Sequence, residues 1–153
     1  ETLGWNWWTI VRNPFSRLVS VYFDFTLKRG CWYSEKIKHD KPLLSEFKNF
    51  EDFCLRLGDS PWKDDIFFKP QVEFIAPPEG SPSWFHVTGQ YENLKLDFEN
   101  ICDVLGISPV PELTHQNDGL YDKKWRGYYV STAQVEAVRK LYKDDLKAFG
   151  YDF

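Results

Sequence analysis

The chain has 153 residues, enough for one domain with a buried core, and its formal net charge of −4 disfavours binding to a nucleic-acid backbone. Phe, Tyr and Trp make up 18% of the residues, and most of them must lie in the core because each buries a large apolar area. The three cysteines are too scattered for a disulfide framework or a metal site, and no apolar run is long enough to predict membrane contact.

The first predicted element is a strand at residues 7–11, where β-branched and aromatic residues are typical of a buried strand. A helix should begin directly after it, because Asn13 can cap the free backbone N–H groups and Pro14 suits the first helical position. Apolar residues at helical spacing predict its buried face: Phe15, Leu18, Val19, Tyr22 and Thr26. Arg12 then lies at the carboxyl end of the strand, where open α/β sheets bind ligands, and Ser20 lies about two turns into the helix.

Further elements alternate along the chain. An exposed loop is predicted at residues 31–45, followed by a helix capped by Asn49, with Phe50, Phe53, Cys54 and Leu57 inward and Gly58 at its end. Residues 85–90 alternate like a strand, and the helix after them has the apolar stripe Leu94, Phe98, Ile101 and Leu105. A last helix should run from a capping box at Ser131 and Gln134 to Phe149. This order predicts a single α/β domain over residues 1–153.

The run WWTIVRNPFSRLVSVY at residues 7–22 resembles the 3′-phosphate-binding motif of sulfotransferases that use 3′-phosphoadenosine 5′-phosphosulfate (PAPS), in particular the carbohydrate sulfotransferases. In that family an Arg and a Ser eight positions later hold the 3′-phosphate of the nucleotide, and Arg12 and Ser20 have this spacing. A guanidinium suits a phosphate because it offers planar, bidentate donors. Arg17 is a further candidate for this site, or else a solvated helix residue.

Two other segments resemble parts of the same family that are associated with the active cleft. Residues 67–71, FFKPQ, are similar to its H-F-K-P-Q element with Phe67 in the histidine position, so Gln71 is a candidate cleft residue or only a partner for backbone groups. Residues 113–117, LTHQN, are similar to its P-H-x-N segment, which makes His115 and Asn117 candidate acceptor contacts.

The carboxyl-terminal third also resembles the family. Lys124 and Arg126 lie in a basic segment of the kind that places a second phosphate contact in family members, although a solvated loop is the alternative. The ending DDLKAFGYDF is close to the usual carboxyl terminus of carbohydrate sulfotransferases. The family-like segments occur in their expected order, and that order carries the resemblance.

The resemblance implies a P-loop-like three-layer fold, with a parallel sheet flanked by helices, and transfer of a sulfuryl group from PAPS to a hydroxyl of a carbohydrate or other acceptor. The product would be adenosine 3′,5′-bisphosphate, and no metal is implied. The family's lysine-containing phosphosulfate loop is not found, so we expect it upstream of Glu1 and assign no catalytic residue.

Two other functions stay open from the sequence. The chain could be a non-catalytic glycan-binding or nucleotide-binding module derived from the same fold. A nucleotide kinase would need a Ser/Thr and an Asp as Mg²⁺ ligands, and neither is visible. The sequence leaves the location open between the cytoplasm, if the protein is prokaryotic, and the Golgi lumen, if it is eukaryotic. The unpaired cysteines favour a reducing compartment and therefore the cytoplasm.

Overall fold

The computed structural model describes residues 7–26, 44–75, 85–114 and 124–153. Its strands are β1 (Trp7–Val11) and β2 (Phe85–Gln90). Its α-helices are α1 (Pro14–Thr26), α2 (Phe50–Arg56), α3 (Val72–Ile75), α4 (Leu94–Val104), α5 (Thr132–Leu141) and α6 (Lys143–Phe149). The predicted acceptor residues His115 and Asn117, and most of the predicted loop at 31–45, lie outside the described residues.

The two strands pair in parallel, with Ile10 opposite Gly89 and Val11 opposite Gln90. Their carboxyl ends therefore meet at the same edge of the sheet, with Arg12 following β1 and Tyr91 following β2. The parallel pair with helices between and after its strands confirms the predicted α/β class.

Helix α1 begins as the sequence predicts. The side chain of Asn13 accepts the Phe15 N–H at 2.9 Å, and Pro14 occupies the first helical position. The predicted apolar stripe is buried except for Thr26, which is half-buried, while Phe25 is buried in addition. This helix therefore has one face deep in the core and its first turn at the edge of the sheet.

The core is built largely from aromatic rings. Side chains of α1, α2, α5 and α6 meet in one cluster that also includes residues of the turns between them; its fully buried aromatic members are Phe15, Phe53, Phe68 and Tyr142. The ring centroids of Phe53 and Phe68 lie 5.3 Å apart in an edge-to-face arrangement, a geometry that aromatic quadrupoles favour. Much of the aromatic surplus in the sequence is thus explained by packing.

The carboxyl-terminal helix differs from the prediction because it is broken at Tyr142, where α5 ends and α6 begins. The Tyr142 hydroxyl donates to the Phe68 carbonyl oxygen at 2.7 Å, and the Asp145 side chain one turn later is fully buried. The break lets both polar side chains reach buried backbone groups. The predicted capping box at Ser131 and Gln134 is present, and α6 ends at Gly150 in the left-handed conformation.

Helix α4 is also less buried than its apolar stripe predicts. Ile101 and the neighbouring Cys102 are buried, whereas Leu94, Phe98 and Leu105 are half-buried. In the part of the chain that the structure describes, strand β2 is the main neighbour of this helix.

Candidate functional site

The side chain of Arg12 lies at the junction between β1 and α1 and is held from two sides. Its Nε donates to Ser16 Oγ at 2.9 Å, and its Cζ lies 4.6 Å from the ring centroid of Tyr91, which follows β2. Ser16 is itself buried, with 5% of its surface exposed. A cation over an aromatic ring is attracted to it, so the guanidinium is oriented at the sheet edge rather than free in solvent.

Ser20 lies one turn beyond Ser16 on α1 and is half-buried. Residues four apart share one face of a helix, so Ser16 and Ser20 follow one another along the face that starts beside Arg12. Ser20 is therefore the next residue along α1 on the face that Arg12 contacts through Ser16. The phosphate role of the Arg12 and Ser20 pair stays a prediction at this point.

The backbone of Arg12 is held by the side chain of Gln71. Gln71 Oε1 accepts the Arg12 N–H at 3.0 Å, and Gln71 Nε2 donates to the Arg12 carbonyl oxygen at 2.8 Å. A side-chain amide carries one donor side and one acceptor side, as a peptide group does. Gln71 therefore takes the place that a neighbouring strand would occupy beside Arg12.

Asp145 anchors the turn that carries Gln71. Its Oδ2 accepts the Gln71 N–H at 2.8 Å and its Oδ1 accepts the Val72 N–H at 2.9 Å, at the start of α3. The carboxylate is fully buried, with Arg17 Nη1 at 3.9 Å from Oδ2. A buried carboxylate is tolerated because donors and a cation surround it.

Arg17 is not a solvated helix residue, because its side chain is only 16% exposed. Its Nη2 donates to the carbonyl oxygens of Phe67 and Lys69, at 2.9 and 2.6 Å. Burial lowers the pKa of Arg17, while Tyr142 and Asp145 act in the opposite direction; a guanidinium nevertheless stays charged in proteins. These contacts give Arg17 an internal role in fixing the turn at residues 67–72, and its predicted phosphate contact stays a prediction.

The other side of the junction is held by Glu92 and the end of the chain. Glu92 Oε1 accepts the Asn13 N–H at 2.9 Å, and its Oε2 accepts the Tyr151 hydroxyl at 2.7 Å. Asn13 Nδ2 donates to the carbonyl oxygen of Asp152 at 2.9 Å. Burial and the bond to Glu92 raise the pKa of Tyr151, so its hydroxyl stays a neutral donor.

The late basic segment lies beside the start of α1. Lys124 and Arg126 are exposed, and the Arg126 guanidinium lies 4.2 Å from the Trp125 ring centroid. Trp125 stacks on Phe15, with ring centroids 6.3 Å apart. The segment is thus attached to the helix that follows Arg12, and its phosphate contact remains a prediction.

Neither metal-ligating clusters nor helices suited to a bilayer occur in residues 7–26, 44–75, 85–114 and 124–153. These residues hold no group of three or more His, Cys, Asp or Glu side chains that could bind a metal ion. None of their helices is both long enough and apolar enough to cross a membrane.

Comparison with known proteins decides the family. The model of the Sulfotransferase family matches residues 7–152, almost the whole chain. The chain belongs to the sulfotransferase family. No solved structure matches this sulfotransferase-family chain.

Its relatives include three vertebrate proteins named carbohydrate sulfotransferase 10. The protein from Danio rerio is 26% identical over 171 residues, that from Gallus gallus 29% over 167, and that from Homo sapiens 28% over 167. Each alignment covers 93% of this chain but only 45% or 46% of the relative. The chain therefore spans about half the length of the relatives it matches.

Sequence reasoning missed three residues that shape this part of the sulfotransferase-family chain: Ser16, Asp145 and Tyr151. Ser16 lies inside the motif, four residues after Arg12, and that helical spacing was a usable signal. Asp145 follows the exposed Asp144 in a charged stretch, and Tyr151 lies after the last helix. No pattern in the neighbouring sequence identifies Asp145 or Tyr151, because the residues that they contact are more than 50 positions away in the chain.

Proposed function

We propose that this protein is a PAPS-dependent sulfotransferase that transfers a sulfuryl group to a hydroxyl of a carbohydrate acceptor. The family supplies the reaction class, and the names of the relatives favour a carbohydrate acceptor. The observation that carries the nucleotide half is the position of Arg12, which follows β1 at the carboxyl edge of the sheet and is oriented by Ser16 and Tyr91. Ser20 lies one turn after Ser16 on the same helix face, which supports the proposal that Arg12 and Ser20 hold the 3′-phosphate together.

In the proposed reaction, the acceptor hydroxyl oxygen forms a bond to sulfur while the bond from sulfur to the 5′-phosphate oxygen breaks. The hydroxyl proton passes to a base, and the leaving group is adenosine 3′,5′-bisphosphate. Arg12 does not touch the reacting atoms in this proposal. Its contact with the distant 3′-phosphate supplies binding energy that orients the donor for in-line attack.

The proposal extends to the fold, the remaining site residues and the compartment. The fold would be the P-loop-like three-layer fold, with the phosphosulfate loop supplied by a segment upstream of Glu1. Lys124 and Arg126 are proposed as a further phosphate contact, and His115 and Asn117 as acceptor contacts. Since the matched relatives are eukaryotic, the Golgi lumen is the favoured one of the two compartments considered.

The proposal is tested by calorimetric titration of the full-length protein with adenosine 3′,5′-bisphosphate and with adenosine 5′-monophosphate. We expect the 3′-phosphorylated ligand to bind more tightly, and we expect Arg12→Ala to remove this preference at a cost of about 2 to 4 kcal/mol, because a charged bidentate contact is lost. Ser20→Ala should cost less than Arg12→Ala, about 1.5 kcal/mol, since it removes one hydrogen bond to a charged phosphate.

Arg56→Ala is the matched control. Arg56 is an exposed arginine that pairs with Asp52 on α2, so its loss removes the same charge without touching the junction. Equal binding of the two nucleotides by the folded protein would contradict the assignment. Selective binding without transfer of labelled sulfate from PAPS to any glycan would support the non-catalytic alternative instead.

A further inference from the structure

We infer that Gln71 is a positioning residue for nucleotide binding, acting on the 3′-phosphate through the backbone of Arg12 rather than by touching either substrate. The inference rests on the proposed function and deepens it. It gives Gln71 a different role from the acceptor contact that the sequence suggests.

The first step is the place of Arg12 in the sheet. The last paired residues of the two strands are Val11 and Gln90, so Arg12 lies one residue beyond the paired part of β1. Its N–H and its carbonyl oxygen nevertheless both have a partner, and both partners are atoms of the Gln71 amide. The Gln71 side chain thus continues the backbone hydrogen bonding of β1 by one residue, to Arg12.

The second step is what this does to the guanidinium. The two hydrogen bonds hold the N–H and the carbonyl oxygen on either side of the Arg12 Cα, so they restrict φ and ψ of Arg12. These angles set the direction of its Cα–Cβ bond. The far end of the side chain is held by the Ser16 hydroxyl and the Tyr91 ring. A side chain fixed at both ends loses less conformational freedom when it meets a ligand, which preserves binding energy.

The third step is that Gln71 is itself fixed. Asp145 accepts its backbone N–H at 2.8 Å and lies 3.4 Å from its Nε2, and the Asp145 carboxylate is fully buried. Arg17 holds the carbonyl oxygens of Phe67 and Lys69 just before it. The position of Arg12 is therefore tied through Gln71 to the buried carboxylate of Asp145, in the first turn of α6.

The fourth step is that the contact is specific for a glutamine. Leucine has nearly the same size but neither donor nor acceptor, and an ionised glutamate could accept the Arg12 N–H but could not donate to its carbonyl oxygen. Asparagine has the same amide on a side chain shorter by one methylene group, so it reaches less far. Gln71→Leu and Gln71→Asn therefore remove the contact in two different ways.

The test is a double-mutant cycle read by calorimetric titration with adenosine 3′,5′-bisphosphate and adenosine 5′-monophosphate, using the full-length protein. In Gln71→Leu we expect about a tenfold loss of affinity for the bisphosphate, because small misplacements of a binding group are costly. Affinity for the monophosphate should change less than about twofold. In the Arg12→Ala background, the same Gln71 substitution should cause no further loss, because the group that it positions is absent.

A general loss of stability is controlled by Asn49→Ala. This change removes the cap that accepts the Asp52 N–H on α2, far along the chain from the junction, so it should lower stability without changing the preference for the 3′-phosphate. If Gln71→Leu does not fold, Gln71→Asn replaces it throughout the cycle.

The outcomes separate the two proposals. If the unaltered protein prefers the bisphosphate through Arg12 but the folded Gln71 variant keeps that preference, the inference is wrong and the proposed function stands. A Gln71 variant that keeps the nucleotide preference and loses glycan affinity would overturn it in favour of an acceptor contact. An equal loss for both nucleotides, persisting without Arg12, would also overturn it. No preference in the unaltered protein would remove both proposals together.

Discussion

Among the residues that the structure describes, the two strands run in parallel and end at the same sheet edge, and each is followed by a helix. The first unit, β1 with α1, and the second unit, β2 with α4, differ greatly in how deeply their helices are buried. Helix α1, after β1, has seven buried residues, whereas α4, after β2, has two. The connections differ as well. Only Arg12 and Asn13 separate β1 from α1, while a 3₁₀ turn at Tyr91–Asn93 separates β2 from α4.

The difference shows how the site is supported. The buried unit supplies the residues proposed to bind phosphate, Arg12 and Ser20, on a helix that cannot shift without disturbing the core. The more exposed unit supplies their neighbours, with the Tyr91 ring against the Arg12 guanidinium and the Glu92 carboxylate on the Asn13 N–H. Sites built on rigid elements hold their geometry best, and here the rigid element is the first unit.

The largest expected effect comes from equal truncations of the two helices. Leu18 on α1 is 2% exposed and Leu96 on α4 is 61% exposed. Leu18→Ala should lower the free energy of unfolding by about 2 to 5 kcal/mol because it leaves a cavity in the core. Leu96→Ala should change it by less than about 0.5 kcal/mol. Urea unfolding measures both, and similar values for the pair would contradict the difference in depth between the units.

The next effect concerns the contact between the units at Gly89. A Cβ atom at this position would lie 2.7 Å from Ile10 Cδ1, 2.9 Å from Asp97 Cβ and 3.3 Å from Ile101 Cδ1. The Ile10 methyl group can turn aside, but the Asp97 Cβ is fixed to the helix. Gly89→Ala should therefore destabilise the protein by about 1 to 3 kcal/mol through overpacking.

Gly58→Ala is the matched control for Gly89, because a Cβ at Gly58 meets no atom within 4 Å. We expect its unfolding midpoint in urea to stay close to that of the unaltered protein. A Gly89→Ala variant as stable as the Gly58→Ala variant would show that β2 and α4 are packed more loosely than the structure indicates.

Much of the first unit could be predicted from the sequence, because its signals are local. The strand at residues 7–11, the Asn13 cap and the first helical position of Pro14 are all confirmed. The cap of α2 by Asn49 and the capping box at Ser131 are confirmed for the same reason. In each case a residue and its partner lie within four positions of one another, so spacing alone identifies the pair.

The remaining features depend on partners that are distant in the chain. The break at Tyr142 depends on a carbonyl group at Phe68, 74 positions away, and helical periodicity alone predicts an unbroken helix there. The role of Gln71 at the backbone of Arg12 spans 59 positions. The apolar stripe of α4 predicts burial, but how much of it is covered depends on the elements packed against it. Tertiary contacts, not local propensity, decide these features.

A third prediction concerns how stability changes with pH through the thiol of Cys54, which is buried on α2. Burial raises the pKa of Cys54 from its usual value of 9.0 to about 12. Above pH 9 the unfolded chain loses this proton while the folded chain keeps it, so the unfolded state binds fewer protons and the stability falls as pH rises. Between pH 9 and 10, the loss from this group should reach about 1 kcal/mol, measured by urea unfolding at each pH.

Cys54→Ala separates this thiol from other groups. Burial also raises the pKa values of Tyr129 and Tyr142, and tyrosines in the unfolded chain begin to ionise in this window. Their contribution is present in both proteins, so the difference between the two slopes reports on Cys54. The variant should be less stable at pH 8 and should lose less further stability between pH 9 and 10. An unchanged slope would mean that Cys54 is reached by solvent in the folded protein.

The smallest expected effect tests the bond by which the exposed unit supports the buried one. Glu92→Ala removes the acceptor of both the Asn13 N–H and the Tyr151 hydroxyl, and we expect a loss of about 1 kcal/mol because Glu92 is exposed and water can replace part of the bonding. Glu92→Gln should cost less, since its amide oxygen can still accept the Asn13 N–H.

Tyr151→Phe completes the cycle, because Glu92 and Tyr151 form one network with Asn13 and groups in one network are not additive. Combining Glu92→Ala with Tyr151→Phe should therefore cost less than the sum of the two single changes. Additive costs in urea unfolding would mean that the two residues act independently. In that case, residues 152 and 153 would be held beside α1 by the Asn13 bond to Asp152 and the packing of Phe153 on Phe15. The residues after β2 would then support the junction through the Tyr91 ring and through the Glu92 carboxylate that accepts the Asn13 N–H.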